Sequence, residues 1–379
     1  MIRRRKNGAV RFTVSKGGLP MRYDVAIIGA GPGGSTAARL LAGKLSVLLI
    51  DPKSDAPGSF QKPCGGLLSP DAQRSLARFD LTLPRDVLVD PQIFSVRTYD
   101  LSSMLVRDYQ RFYLNLDRRR FDRWLMELIP PGVDRLEGRA AAVRREADGF
   151  SILCRMPGGA EQTFSARRII GADGAHSAVR RCLFPGHRAR RYVAVQQWFE
   201  REDQHPFYSC IFDPEAGDCC SWSISKNRWF IFGGAFSPQD CRSVFEAQKE
   251  RLARCFGFVF GTPAKTEACE VLRPRRLGEI CYGDDGALLI GEAAGGISPS
   301  SLEGISWAFD SARVACDALL GGPSQTGNRY RKNTRRLRLR LAGKLLKTPV
   351  LYDPLPRRLI MRSGLRSIRT VSDARQCGK

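Results

Sequence analysis

No apolar run in the 379-residue chain approaches the roughly 18 residues that a membrane-spanning helix needs, so any meeting with a bilayer would take place at its surface. Only 3 histidines are present, and the 12 cysteines, adjacent Cys219-Cys220 included, show neither C-x-x-C pairing nor His/Cys metal spacing. With no secretory signal pattern either, this usage implies reduced thiols, no bound metal and a cytoplasmic location. Nucleic-acid reading motifs and stacking platforms are also missing, so no nucleic-acid partner is expected.

Acids are scarce where bases collect. Met1–Arg22 holds seven basic residues and no acid, and Pro323–Lys379 holds sixteen against Asp353 and Asp373, which leaves only +2 of the net +23 for residues 23–322. The body is therefore nearly neutral, and the basicity belongs to the two ends. Residues 1–20, without sustained periodicity, read as a disordered basic arm; the alternative is an arm that binds anionic lipid.

What is present begins at Tyr23–Ile28, an apolar strand that runs into Gly29-Ala30-Gly31-Pro32-Gly33-Gly34 and then into Ser35–Leu41 with helical spacing. Gly29 permits the tight turn, Gly31 lets backbone approach a pyrophosphate, and Gly34 lets the helix lie close on the strand. A second strand, Ser46–Asp51, ends in an acid about 20 residues on, placed for a ribose hydroxyl. A strand into Asp173-Gly174 with a Ser177-capped helix, and Ala287–Gly296 followed by a helix to about Leu320, aim at the same ligand from distant parts of the chain.

Between these visits lie other elements. Ser69 or Asp71 is placed to cap a helix from Pro70, Pro91–Asp117 alternates as antiparallel strands, and Asp117–Met126 is an amphipathic helix whose basic first turn calls for an anion, either a cofactor phosphate or solvent. The loop Lys62-Pro63-Cys64-Gly65-Gly66 either lies flat against a planar ligand or is a plain connector. Tyr192–Phe199, Phe207–Phe212, Cys219–Ser225 and Trp229–Phe236 form a second, aromatic-rich sheet, which either faces something apolar or packs a core. Tyr330–Lys347 and Arg357–Arg369 read as basic helices with Leu and Ile interleaved, either an anchor on anionic headgroups or a cap over the second lobe.

The Gly29–Gly34 fingerprint, Asp173-Gly174 and Gly291-Glu292-Ala293-Ala294, in this order, resemble the FAD-binding motifs of the flavoprotein hydroxylase and geranylgeranyl reductase superfamily. Lys62–Leu67 is similar to the geranylgeranyl reductase branch. Gln92–Val96, Gln196–Phe199, Phe207–Asp213, Ser221–Lys226 and Ser300–Trp307 extend the resemblance from about residue 22 to about residue 369. It implies an α/β fold: a Rossmann-like FAD domain of the glutathione-reductase type (residues 21–90, 115–185 and 270–322), an interleaved antiparallel substrate sheet (91–114 and 186–269), and a basic helical C-terminus (323–379).

By the same resemblance, Gly29, Gly31, Gly33 and Gly34 meet the FAD pyrophosphate, Asp51 the adenosine ribose, Arg118 the pyrophosphate or ribityl region, and Asp173 with Gly174 the far side of the phosphates. Gly291 and Glu292 meet the ribityl chain, although most members carry Asp where Glu292 stands. Lys62, Cys64, Gly65, Gly66, Gly295, Gly296, Pro299, Gly304 and Ile305 surround the isoalloxazine ring. His176 is expected to pack on the cofactor side. The branch's Tyr-x-Trp-x-Phe-Pro element is replaced by Cys220–Ser225, in which only Trp222 survives, and a related Trp-x-Trp-x-Ile-Pro element marks flavin halogenases. The implied reaction is hydride transfer from reduced flavin to a C=C bond of an apolar isoprenoid or polyprenyl lipid, with Cys64 and Trp222 as catalytic candidates, Cys64 for the accompanying proton. Without a second G-x-G-x-x-G, NAD(P)H or a small redox protein would dock transiently as reductant. The alternatives are a monooxygenase or halogenase using NAD(P)H and O₂, and a non-catalytic flavin- or lipid-binding protein. Oligomeric state is not set by the sequence.

Overall fold

The computed structural model describes residues 22–53, 62–200 and 207–368; the N-terminal arm and part of the loop before Lys62 lie outside them. Strand β1 (Arg22–Ile28) feeds helix α1 (Pro32–Leu41), and β2 (Val47–Asp51) returns parallel beside β1. After β3 (Leu67–Leu68) and α2 (Pro70–Arg78), the chain forms the antiparallel pair β4 (Ile93–Asp100) and β5 (Leu105–Asn115). Helix α3 (Arg118–Glu127), strands β6 (Val133–Glu137), β7 (Arg139–Glu146), β8 (Gly149–Arg155) and β9 (Glu161–Gly171), and helix α4 (Ala178–Leu183) follow. Next come β10 (Arg191–Glu200), β11 (Phe207–Phe212), β12 (Ser221–Lys226), β13 (Trp229–Phe236), α5 (Cys241–Phe256) and β14 (Lys265–Leu272). The chain ends through β15 (Ala287–Leu289), α6 (Ile305–Leu320), α7 (Thr326–Asn333), α8 (Arg335–Tyr352), α9 (Pro354–Ser363) and β16 (Ser367–Ile368).

Two sheets result. The first runs β6-β2-β1-β9-β8-β7, with β15 beside the far end of β9; the second runs β14-β10-β13-β12-β11-β4-β5-β16, with β3 beside β5. In the first, β1 is sandwiched in parallel between β2 and β9, and its alternation decides both cores. Val25 and Ile27 join Leu49 under α1 and α6, whereas Ala26 and Ile28 join Leu48 and Ile50 under residues of β7 and β8. A strand buried on both faces needs apolar residues at every position, which is why Val25–Ile28 reads as one run.

The aromatic excess of the second sheet resolves into core packing. Phe199, Phe230, Phe232 and Phe236 cluster with Phe245 of α5, Phe232 stacking on Phe245 at 5.2 Å between centroids. The opposite face carries Trp222, and it is this face that looks toward the first sheet's loops.

Three local expectations change. Ser69 stands at the N-cap of α2, but no side chain makes the capping hydrogen bond, and Asp71 pairs with Arg74 and Arg340. The helix expected over Arg357–Arg369 stops at Ser363, because Gly364 takes the left-handed conformation (φ 63°) that ends helices. Ser367 and Ile368 then pair antiparallel with β5, so the C-terminal region adds a strand to the second sheet. Finally, the basic first turn of α3 is offset from within, since the Asp117 side chain accepts from Arg120 N at 3.0 Å and Arg118 pairs with Asp122.

A Cβ on Gly34 would run into the Gly29 carbonyl oxygen, so the α1–β1 approach leaves no space for any side chain. Gly34→Ala is expected to destabilise the protein by about 2 kcal/mol or more, as overpacking against backbone does; denaturant titration of the apoprotein checks this.

Candidate functional site

The carboxyl ends of β1, β9 and β15 meet at one place. Ile28 pairs with Gly171, Gly171 pairs with Leu289, and a Cβ on Gly29 would lie 2.5 Å from the Ala172 carbonyl oxygen, so the glycine turn rests against the Asp173-Gly174 segment. Gly29 holds φ 99°, a conformation that favours glycine. Beyond it, Gly31 is the N-cap of α1 and offers no side chain to that helix's free N–H groups, and a Cβ built on it would meet nothing within 4 Å. Uncapped amides facing open space are the arrangement that receives phosphate. At Gly33 a Cβ would come within 3.3 Å of the Ala308 carbonyl oxygen, so this glycine also sets the α1–α6 approach.

Asp51 accepts from the Ala30 N–H and, at 2.7 Å, from the Lys53 N–H. A carboxylate has about four lone-pair positions, so it retains capacity for a ribose hydroxyl beside the turn. Asp173 turns one oxygen to the first turn of α4, accepting from Ala178 N at 2.6 Å, while its Oδ1 is buried without a partner; burial raises its pKa. The neighbouring Gly174 (φ 70°) faces open space.

The Lys62–Gly66 loop is held from three sides. Lys62 forms an ion pair with Glu292, whose other oxygen accepts from Leu272 N at 3.0 Å. The longer side chain that replaces the usual Asp is thus accommodated by turning to Lys62 and β14, and both its oxygens are engaged by protein. Burial opposes the Lys62 charge, but Glu292 outweighs it and the pKa is raised. Lys226, buried at the end of β12, donates to Asn115 Oδ1 at 2.5 Å, to the Leu116 carbonyl at 2.8 Å and to the Gly66 carbonyl at 3.4 Å, pinning the loop to β5.

Cys64 accepts from the Gly66 N–H at 3.4 Å and lies beside Arg118, which also donates to Asp122 at 2.8 Å. Burial would push the thiol up, yet the Arg118 guanidinium and the Gly66 N–H bring it below its ordinary value.

On the second sheet's inner face, Trp222 packs over Gly233, with its buried indole N–H unpartnered and its ring reaching toward Gly65; Ile224 approaches Gly65 as well. Tyr208 and Tyr113 meet edge to face at 5.2 Å, and Tyr113 donates to Glu303 at 2.8 Å. Burial raises the pKa of Glu303. The loop that closes this side is Gly295–Gly304. Gly295 holds φ 85°, Gly296 lies flat against the Trp307 ring, the Pro299 carbonyl accepts from the buried Arg273 at 2.8 Å, and Gly304 and Ile305 open α6 without a side-chain cap. Gly291 N is held by Ser311 Oγ at 3.0 Å. From outside, Tyr352 of α8 accepts from Cys220 N and donates to the Ser300 carbonyl, tying sheet, loop and helix together.

His176, expected to pack, is instead 64% exposed and faces Glu270 at 3.5 Å on the surface. Tyr208, Lys226 and Glu303 fall in segments that carry the resemblance but are given no role by it, and Tyr113 and Tyr352 carry no motif: each gains its place through a partner more than 90 residues away, except that Tyr352 reaches Ser300 over 52.

No protein-family model matches the chain. Protein CbrA of Escherichia coli strain K12 is 49% identical to it over 353 residues, covering 93% of this chain and 99% of that protein. The chain belongs to the CbrA family. CbrA identity spans both sheets and the C-terminal helices, and the described residues have a fold also seen in flavin enzymes. A geranylgeranyl bacteriochlorophyll reductase-like protein from Thermoplasma acidophilum superposes with a TM-score of 0.72 at 19% identity, covering 89% of this chain and 98% of that one. A probable FAD-dependent monooxygenase from Pseudomonas aeruginosa gives 0.67 at 18% identity, with 91% and 100% covered. The fold of this CbrA-family chain is therefore the Rossmann-like α/β fold of FAD-dependent oxidoreductases.

The residues present fit such a group. An open cradle at Gly31, an orphaned acceptor on Asp173 and unpartnered indole donors on Trp222 and Trp307 stand around the same loops. Buried polar atoms without partners are costly by about 1–3 kcal/mol each, and a polar ligand with hydroxyl, carbonyl and ring-nitrogen atoms would satisfy them.

Two outcomes follow. Gly31→Ala leaves apoprotein melting unchanged, since the added methyl has space, but lowers FAD affinity by about tenfold or more through its intrusion on the phosphate approach; flavin fluorescence titration beside calorimetry checks this. Arg118→Met raises the Cys64 pKa, because the strongest influence opposing burial is lost, so iodoacetamide labelling of the Cys64 peptide, followed by mass spectrometry, moves to higher pH than in the wild type.

Proposed function

We propose that this CbrA-family chain is an FAD-dependent oxidoreductase that reduces C=C bonds of an isoprenoid or polyprenyl lipid. The observation that carries the reading is the wall opposite the Cys64–Gly66 loop: Trp222, Ile224, Tyr208 and Tyr113 on one sheet face, covered from outside by Tyr352 of α8. Such a wall offers an alkene dispersion contact and few polar partners, which suits an apolar substrate.

Gly29, Gly31 and Gly34 would admit the pyrophosphate, Asp51 the ribose and Asp173 the far side of the phosphates; Lys62 and Glu292, locked to each other, would fix the loop that carries Cys64. FAD, when bound, supplies the hydride. An isolated alkene accepts hydride poorly, so the chain must provide a proton at the other carbon. Cys64, beside the Gly65–Gly66 turn, and Glu303, which accepts from Tyr113 on the same face, are the proposed proton sources. NAD(P)H or a small redox protein is proposed as the transient electron source, in the absence of a second dinucleotide fingerprint.

The test is anaerobic incubation of the FAD-loaded protein with dithionite and polyprenyl phosphate, read by mass spectrometry. The reading predicts addition of two hydrogens per reduced double bond, and a loss of about tenfold or more in Trp222→Ala with flavin absorbance retained. Incorporation of one oxygen or a halogen under air, with no anaerobic product, would overturn it in favour of monooxygenase or halogenase chemistry; flavin binding without any turnover would leave a non-catalytic binder.

A further inference from the structure

Helices α8 and α9 are amphipathic in an unusual sense: both faces carry bases, but only one set is paired. On the inner side, Arg340 bridges Asp310 and Asp71, Lys344 reaches Asp71, and the buried Arg357 donates to Asp100 at 2.8 Å, while Leu337 and Leu341 pack on Trp307 and Ile280. These contacts bind the helices to both lobes. The outer side needs no such fixing, and its composition is the reverse of a solvated surface.

Along α8 the exposed positions are 335, 336, 339, 343, 346, 347, 349 and 350, at helical spacing, and on α9 they include 355, 358, 359 and 362. Leucines alternate with bases among them: Leu339 is 63% exposed, Leu346 78%, and Leu355 and Leu359 70% each. Of the fourteen large apolar side chains exposed among the described residues, eight fall between Leu339 and Ile368. Between the leucines stand Arg335, Arg336, Lys347, Arg358, Arg362 and Arg366, all exposed and, among the described residues, without a carboxylate partner. From Arg335 to Ile368 the one acid is Asp353, and its side chain is engaged in capping α9 at Leu355 N.

A face made for water would put Lys and Glu outside and Leu inside. Contiguous exposed leucines interleaved with unpaired cations are instead complementary to a surface that is apolar below and anionic above. We infer that the outer face of α8 and α9 is a docking platform for an anionic lipid bilayer. An acidic protein would neutralise the arginines but leave no apolar medium for leucines spread over two helices, and a second copy would bring its own six unpaired cations against these.

The location adds meaning to the chemistry. The inner side of α8 closes the wall at Tyr352, so the platform lies directly outside the candidate substrate chamber, where a prenyl chain could pass from bilayer to protein without crossing water. This deepens the proposed function and rests on it only for the substrate; the docking itself requires no turnover and stands or falls separately.

The full-length, FAD-loaded protein is sedimented with phosphatidylcholine vesicles and with vesicles containing phosphatidylglycerol, beside Leu346→Glu/Leu359→Glu and Arg358→Glu/Arg362→Glu. Both doubles leave the basic N-terminal arm and the extreme C-terminus intact, and the flavin spectrum reports that the fold is kept. The inference expects preferential sedimentation with anionic vesicles, weakened by salt, and a loss of about tenfold or more in each double variant. Binding that is equal in wild type and variants would assign the attraction to the charged ends and overturn it. So would failure of the wild type to sediment, or light scattering that shows a wild-type dimer turned to monomer by Leu346→Glu/Leu359→Glu, which would give the face to a second copy of the chain.

Discussion

The structure depends on how closely three strand ends can approach one another. Gly29 lies against Ala172 and Asp173, Gly34 lies on Gly29, and Gly33 lies on Ala308 of α6, so backbone meets backbone at the point where β1, β9 and α1 converge. Any side chain there would hold the pieces apart. Because they are not held apart, the amides at the start of α1, the Asp173 carboxylate and the strand end of β15 come together at one place. A site with fixed N–H groups and a buried unpaired polar atom is preorganised for a charged, hydrogen-bonding ligand.

The second sheet is built on a separate principle and joined late. Its phenylalanines are consumed by packing on α5, which frees the other face to be a wall rather than a core. Lys226 and the Tyr113–Glu303 pair then stitch that wall to the Cys64–Gly66 loop and to the Gly295–Gly304 loop, and Tyr352 adds the C-terminal helices. Sheet, loops and cap are therefore coupled by buried polar contacts whose strength comes from their exclusion from water.

Much of this was legible in the chain itself. A both-faces-buried strand followed by glycines and a helix has few other readings, and its recurrence around Asp173 and Gly291 placed three remote segments at one site. The aromatic strands were legible as a sheet but not as to which face their rings took, because alternation fixes the period and not the partner. His176 sits one turn from Asp173 in sequence yet points to Glu270, a choice made by β14. Glu303 lay in a segment that carries the resemblance but with no role of its own: its place is set by Tyr113, 190 residues earlier. Likewise, the paired and unpaired arginines of α8 are identical in sequence, and only Asp71 and Asp310 distinguish them.

The central claim is that the site where these strand ends meet holds one flavin. Equilibrium titration of the apoprotein with FAD, followed by ultrafiltration and the visible spectrum of the retained fraction, tests it most directly. The account predicts saturation at one FAD per chain with a perturbed, protein-bound flavin spectrum; a folded protein that retains no FAD at any ratio would contradict it.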